Sequence, residues 1–194
     1  MSKTLEFFYD YVSPYSYLAW LQLPALAQRT GAQVVHKPMV LGGLFKLTGN
    51  APPLGVSAKL AYMAQDLERH AARLGVPMRM NRAFPMNTVP ALRGALVAQR
   101  QGFFAAYDAA MFRAVWEHDQ DISDAAVMES VLAAAGIDEA AITQGAQEEA
   151  VKAALKANTD EAAARGAFGA PAMFVGDELF WGNDRLDFVE AALA

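Results

Sequence analysis

TLEFFYDYVSPYSYLAW, residues Thr4–Trp20, changes character halfway along. Leu5–Tyr9 is short, apolar and aromatic and stops at Asp10, as a buried strand does. Val12-Ser13-Pro14 then leads into Tyr17, Leu18, Leu21 and Leu26, a loose helical stripe. Ser13 is a good N-cap, and Pro14 at the first helical position loses no hydrogen bond there. The stretch therefore predicts strand, short loop and helix, with a hydroxyl at the helix N-terminus. Such an end collects unpaired N–H groups and the positive end of the helix dipole, so it favours an anion.

The chain outside this stretch falls into two kinds of segment. The first helix is expected to run to Gly31, a C-cap glycine, and Gln33–Lys37 to form a second strand before Pro38. Strand–helix–strand at this spacing implies a parallel βαβ unit. Leu41–Pro53 holds three glycines and two prolines and reads mostly as loop, with at most a short helical turn at Gly43–Leu47. From Gly55 to about Gly166 the periodicity is helical. Leu60, Met63, Leu67, Ala71 and Leu74 step by 3, 4, 4 and 3 behind a Ser57 cap. Met78–Asn87 is irregular, and Thr88 reads as the cap of the next helix. Phe104, Tyr107, Met111 and Val115 form another stripe. Asp138–Arg165 is helical, with a possible break near Gly145 and an expected Glu148–Lys152 pair. The end returns to α/β. Ala172–Val175 and Glu178–Trp181 make a hairpin around Gly176-Asp177, and Asp184 opens a last helix.

Composition narrows the function. The chain has 194 residues, 54% hydrophobic, a net charge of −5 and no cysteine. An acidic chain lacks the footprint of a nucleic-acid binder. The absence of cysteine excludes disulfides, zinc–thiolate sites and iron–sulfur clusters. Glu6 and Asp10 interrupt the N-terminal apolar run, which reads against a signal peptide, and no stretch approaches the ~20 apolar residues of a membrane span. A soluble, cytoplasmic protein is the expectation. His36, His70 and His118 show no metal-like spacing and read as surface or satisfied polar residues. Asp119–Asp124 reads as helix capping, since it lacks the glycine of a calcium loop.

Three separated pieces carry the chemistry: Ser13, Gly169-Ala170-Pro171 before the third strand, and Gly182-Asn183-Asp184 at the last helix. The thioredoxin fold keeps its Cys-x-x-Cys after the first strand of a βαβ unit, where this chain has Ser13-Pro14-Tyr15-Ser16. It cannot exchange disulfides with its own atoms, so any sulfur chemistry requires a thiol brought by a cofactor. Read blandly, Ser13 is only a cap. In thioredoxin-type folds a proline before the third strand is commonly cis and lies against the active-site helix start. That would leave the backbone of Ala170 able to pair with an extended peptide. Backbone N–H groups at Asn183-Asp184 could take a carboxylate and the Asp184 side chain an ammonium. Glutathione has all three features.

The chain resembles the 2-hydroxychromene-2-carboxylate isomerases, relatives of kappa-class glutathione transferases and DsbA-like proteins. The resemblance rests on Tyr9–Tyr17, Pro38–Phe45, Thr48-Gly49-Asn50, Phe84–Thr88, Gly169-Ala170-Pro171 and Trp181–Leu186, in order along the full length. It implies an α/β thioredoxin fold with an all-helical insertion domain, residues 1–40 and 160–194 forming the thioredoxin-like part and 41–159 the insertion. It also implies a homodimer and a glutathione-dependent cis–trans isomerase of an aromatic breakdown intermediate. Ser13 would stabilise the cofactor thiolate by donating a hydrogen bond. The thiolate would add to a conjugated enone, let the bond rotate, and leave unchanged. Glutathione would be held by Ser13, Ala170, Pro171, Gly182, Asn183 and Asp184, with Asn50 or Lys59 also near it. For the substrate, Lys46 would meet the anionic end, Asn50 and Asn87 would act as neutral donors, and Phe45 and Phe84 as apolar wall, with Arg82 a further cation. Two other functions remain open at this point. One is a kappa-type transferase that consumes glutathione; the other is a non-catalytic thioredoxin-fold binding module.

Overall fold

In a computed structural model, which describes residues 3–194, the first strand sits in the middle of a sheet, as its apolar, two-sided sequence requires. The elements in order are β1 (Thr4–Tyr9), α1 (Pro14–Trp20), α2 (Leu23–Thr30), β2 (Gln33–Pro38), α3 (Leu41–Thr48), α4 (Ser57–Leu74), α5 (Val89–Gln101), α6 (Phe104–Trp116), α7 (Ala125–Ala134), α8 (Glu139–Gly145), α9 (Glu149–Ala164), β3 (Ala172–Val175), β4 (Glu178–Trp181) and α10 (Leu186–Ala192). The sheet order is β2-β1-β3-β4. β1 pairs parallel with β2, from Thr4 opposite Gln33 to Tyr9 opposite Pro38. β3 runs antiparallel to β1, with Phe7 opposite Met173, and β4 returns antiparallel through Gly176, whose φ is 60°. This is the thioredoxin fold with a helical insertion.

The chain divides into two compact units, residues 1–51 with 157–194, and residues 52–156. Sequence reading drew the limits at 40/41 and 159/160. At the first limit the difference lies in α3, expected to be mostly loop with a short helical turn at Gly43–Leu47 and found as helix over Leu41–Thr48. Its Leu44 is fully buried in a core with Phe8, Met39, Ala162, Ala172 and Phe174. Of the glycines that suggested a loop, Gly43 faces a neighbouring side chain and Gly49, with φ 70°, closes the helix. A Cβ on Gly43 would lie 3.4 Å from the Thr159 methyl, ordinary contact distance, so this face of α3 lies against Thr159.

The other face of the sheet carries Leu5, Phe7 and Tyr9 by alternation, all fully buried. Here α2 packs on β2, and α10 on β3 and α2. The first helix does not run unbroken to Gly31. It ends at Trp20, and α2 begins at Leu23 with Pro24 in its first turn. Proline has no N–H to donate and clashes with the preceding turn, so the chain restarts a helix rather than carry Pro24 inside one.

His36 projects from β2 against Phe7, with ring centroids 5.7 Å apart and the rings edge to face. It is half-buried and uncharged at neutral pH. Burial pushes its pKa down to about 4 from the usual 6.5. The unfolded chain therefore binds more protons than the folded one between those values, and stability falls as pH drops through that window. The loss integrates to about 3 kcal/mol. Urea unfolding at pH 6.5, 5.5 and 4.5 should show this decline in the wild type. It should be largely absent in His36→Gln, and an equal slope in both proteins would overturn the assignment.

A four-charge cluster covers the opposite face. Lys37 lies 2.8 Å from Glu6 and 2.7 Å from Glu161, and Arg165 lies 2.7 Å from Glu6 with its guanidinium 3.9 Å from the Phe174 ring. Burial raises the pKa of the Glu6 carboxyl, but the hydrogen bonds from Lys37 and Arg165 outweigh it and hold the group below its usual value.

The second unit is helical, and its apolar stripes largely meet the sequence expectation. Met63, Leu67 and Ala71 of α4 are buried, although Leu60 is exposed; Tyr107, Met111 and Val115 of α6 are buried with Trp116. The caps differ. Neither Ser57 nor Thr88 caps with its side chain; Asn87, one residue ahead of the α5 N-cap, makes an Asx turn, its Oδ1 accepting from Val89 N at 3.2 Å. Lys152 pairs with Glu149 at 2.9 Å, while Glu148 meets Arg100 at 2.7 Å. Asp124 caps α7, and Asp121 accepts from Ser123.

Gly94 is the tightest position of this unit. A Cβ there would fall 2.1 Å from the Tyr107 hydroxyl, which is buried and donates to Ala91 O at 2.8 Å. Gly94→Ala should destabilise the protein by about 2 kcal/mol through overpacking. Adding Tyr107→Phe, which removes the obstructing oxygen, should recover part of the loss. Strictly additive losses in chemical denaturation would contradict this contact.

Candidate active site

The turn after β1 is built by Asp10. This residue is 2% exposed. Its Oδ1 accepts from Val12 N at 3.1 Å, its Oδ2 from Leu41 N at 2.9 Å, and its carbonyl from Ser13 N at 3.0 Å. One carboxylate thus shapes the loop that carries Ser13 and supplies an acceptor at the start of α3. Sequence reading used Asp10 only as the end of a strand. The cue was an Asp two residues before an amide it can accept from, an Asx turn; its partner Leu41 lies 31 residues away.

Ser13 is the N-cap of α1, its Oγ accepting from Ser16 N at 3.2 Å. The same hydroxyl donates to Ala170 O at 2.9 Å. Ser13 thus caps the helix and also reaches the loop before β3. Ser16, standing where a second sulfur would be, is fully buried and contributes its backbone N–H to Ser13.

That loop ties the site together. Phe168 O accepts from Asn50 Nδ2 at 2.7 Å, Ala170 O accepts from Ser13, and Pro171 O accepts from Gly182 N at 3.1 Å. The Ala170–Pro171 bond is cis, as is Phe84–Pro85. Gly169 lies under Trp181: a Cβ would fall 2.5 Å from the indole Nε1. Gly182 has φ 102°, and a Cβ there would meet Asp184 Oδ1 at 2.7 Å, so only glycine suits that turn. The structure thus joins Ser13, Asn50, Ala170, Pro171 and Gly182 in one hydrogen-bonded arrangement, with Asn183 and Asp184 following directly in sequence.

Some expected details change. The last helix starts at Leu186, not Asp184, so Asn183 and Asp184 form the turn before it. Asn183 is buried, and the exposed Asp184 carboxylate is paired with Arg185. An incoming ammonium would compete with that guanidinium. On α3, Lys46 is exposed and Phe45 half-buried. Lys59, Phe84 and Asn87 belong to the second unit. Lys59 is exposed on α4, Phe84 lies against Trp116 with centroids 6.0 Å apart, and Asn87 accepts from Val89 N just ahead of α5. Arg82 is paired with Asp119 at 2.5 Å rather than being an uncommitted cation. Among the described residues, no helix is long and apolar enough to cross a membrane, and no group of three His, Asp or Glu could hold a metal.

A model of the DSBA-like thioredoxin domain matches residues 4–194. The 2-hydroxychromene-2-carboxylate isomerase of Sphingobium xenophagum is 35% identical over 195 residues, covering 100% of this chain and 99% of the relative. The chain belongs to the 2-hydroxychromene-2-carboxylate isomerase family. A solved structure of such an isomerase superposes with a TM-score of 0.87 at 31% identity, covering 98% of this chain and 94% of the other. Glutathione S-transferase kappa 1 of Homo sapiens is 29% identical, covering 97% of this chain and 90% of the relative. Membership in the isomerase family makes the chain an enzyme, an isomerase.

Proposed function

We propose that the chain is a glutathione-dependent cis–trans isomerase converting 2-hydroxychromene-2-carboxylate to trans-o-hydroxybenzylidenepyruvate in aromatic hydrocarbon catabolism. The observation that carries this reading is the Ser13 hydroxyl, 2.9 Å from Ala170 O, at the helix position where disulfide-exchanging relatives of this fold keep sulfur, in a chain without cysteine. The Sphingobium isomerase and the kappa-class transferase relative support it from two sides.

The residues present suit a small anionic thiol peptide. Ala170 O accepts one hydrogen bond from Ser13 and has a second lone pair for a ligand N–H. Ser13, Gly182, Asn183 and Asp184 are the polar residues proposed to surround it, and Asn50 bonds to the same loop at Phe168 O. Bound there, glutathione supplies the nucleophilic sulfur that the chain lacks. Ser13 holds one proton at Oγ. To donate it to an anion, the hydroxyl turns from Ala170 O, giving up a hydrogen bond worth about 1 kcal/mol for a stronger charge-assisted one. Lys46 is the cation proposed for the substrate carboxylate, with Phe45 and Asn50 as further substrate contacts. The same reading takes the protein as a cytoplasmic homodimer, in the compartment where glutathione is abundant and reduced.

The kappa-class relative favours a second reading, a transferase that conjugates electrophiles. Mass balance separates them. In the first reading all added glutathione is recovered free after complete isomerisation. In the second it is consumed one for one. Isomerisation at an undiminished rate without glutathione would refute both.

A further inference from the structure

Phe168 and Trp181 are large aromatic side chains left 40% and 48% exposed. Their ring centroids are 5.0 Å apart and their planes 43° from parallel, so they form one bent apolar surface. Its position is fixed from three sides. The Trp181 indole lies over Gly169, where a Cβ would come within 2.5 Å of it. Trp181 ends β4, paired with Ala172, and Asn50 holds the Phe168 carbonyl at 2.7 Å. Gly169 is the only residue between Phe168 and the carbonyl that receives the Ser13 hydroxyl. Contiguous exposed apolar surface rimmed by polar groups is the kind of surface that ligands and partners use. Aromatic rings recognise other flat rings by offset or edge contact.

We propose that Phe168 and Trp181 determine specificity for the aromatic ring of the substrate, holding it beside the Ser13–Ala170 pair. This rests on the isomerase reading above. The substrate class selected is a flat aryl ring conjugated to an oxo-carboxylate chain. Asn50 stands next to the platform as a polar group for the ring hydroxyl, since its amide already reaches Phe168 O.

The probe is trans-o-hydroxybenzylidenepyruvate with saturating glutathione, followed by steady-state kinetics and by quenching of tryptophan emission. Trp181→Leu and Phe168→Leu should each raise KM about five- to tenfold, with kcat within twofold of wild type and the glutathione dissociation constant from calorimetry unchanged. Trp181→Phe, which keeps a ring, should raise KM only about twofold, which a loss of folding would not reproduce. Bound probe should quench wild-type emission and barely quench Trp181→Phe. Unchanged KM in both leucine variants overturns the platform. So does a change of molar mass by light scattering with KM unchanged, because the rings would then be a contact between copies of the chain. If the wild type neither binds glutathione nor isomerises the probe, the isomerase reading fails and the platform with it. Wild-type turnover with unaffected variants removes the platform alone.

Discussion

Ser13→Ala is expected to lower isomerase turnover by about 10²–10³-fold, the usual effect of removing one hydrogen-bond donor aimed at a reacting anion. The fold should survive. The substitution removes the acceptor for Ser16 N and the donor to Ala170 O. A lost cap costs about 1 kcal/mol and a lost neutral hydrogen bond about the same, which together lower Tm by roughly 4–8 °C. Assays at 25 °C therefore compare two folded proteins. The thiolate absorbance of bound glutathione near neutral pH should also shrink, because the hydroxyl favours the anion over the thiol. Ser13→Thr, which keeps a hydroxyl, should lie between the two. Wild-type turnover in Ser13→Ala, with only the stability change, would reduce Ser13 to a helix cap and remove the mechanism.

Asp10→Ala should be the most damaging single change to the first unit. It leaves Val12 N and Leu41 N without the carboxylate that each now reaches. Hydrogen bonds to a charged acceptor are worth about 1.5–3 kcal/mol each, so a loss of about 3 kcal/mol is expected, or roughly 6–12 °C in Tm. Asp10→Asn keeps one acceptor but turns an amide N–H toward the other donor, and should fall between wild type and alanine. Hydrogen exchange locates the effect. Protection should drop at Val12, Ser13 and Leu41–Leu44 before it drops in β3. Uniform loss across the sheet would show that Asp10 supports the fold in general rather than the joint between the Ser13 loop and α3.

The parts of this protein that follow short-range rules were legible in the sequence. Apolar runs bounded by turn residues marked all four strands, and Gly176 marked the hairpin. Stripes at 3.6-residue spacing marked α4 and α6. Ser13 was legible as a cap because an N-cap acts on amides only two or three residues away. Errors came where a local signal had a distant cause. Gly42-Gly43 suggested a loop, yet both lie in a helix whose Leu44 is buried in the core and whose first amide donates to Asp10. Pro24 was overlooked as a breaker inside an apolar stripe. Asp184 looked like a helix start, but its carboxylate is taken by Arg185 and the helix begins two residues later.

From the sequence alone came the thioredoxin-type order of elements, the missing sulfurs, and the serine in their place; each is a matter of composition or of spacing within one element. Only the tertiary structure decided what that serine touches. Residues 13 and 170 meet because β1 and β3 are neighbours in the sheet, a pairing 157 positions apart that no local pattern encodes. The hairpin was expected, but that its register sets Trp181 over Gly169 beside Phe168 was seen only in the folded chain. Hydrogen-bond propensities act over a few residues, whereas burial acts between whatever surfaces the chain folds together, and that is where the two sources of information divide.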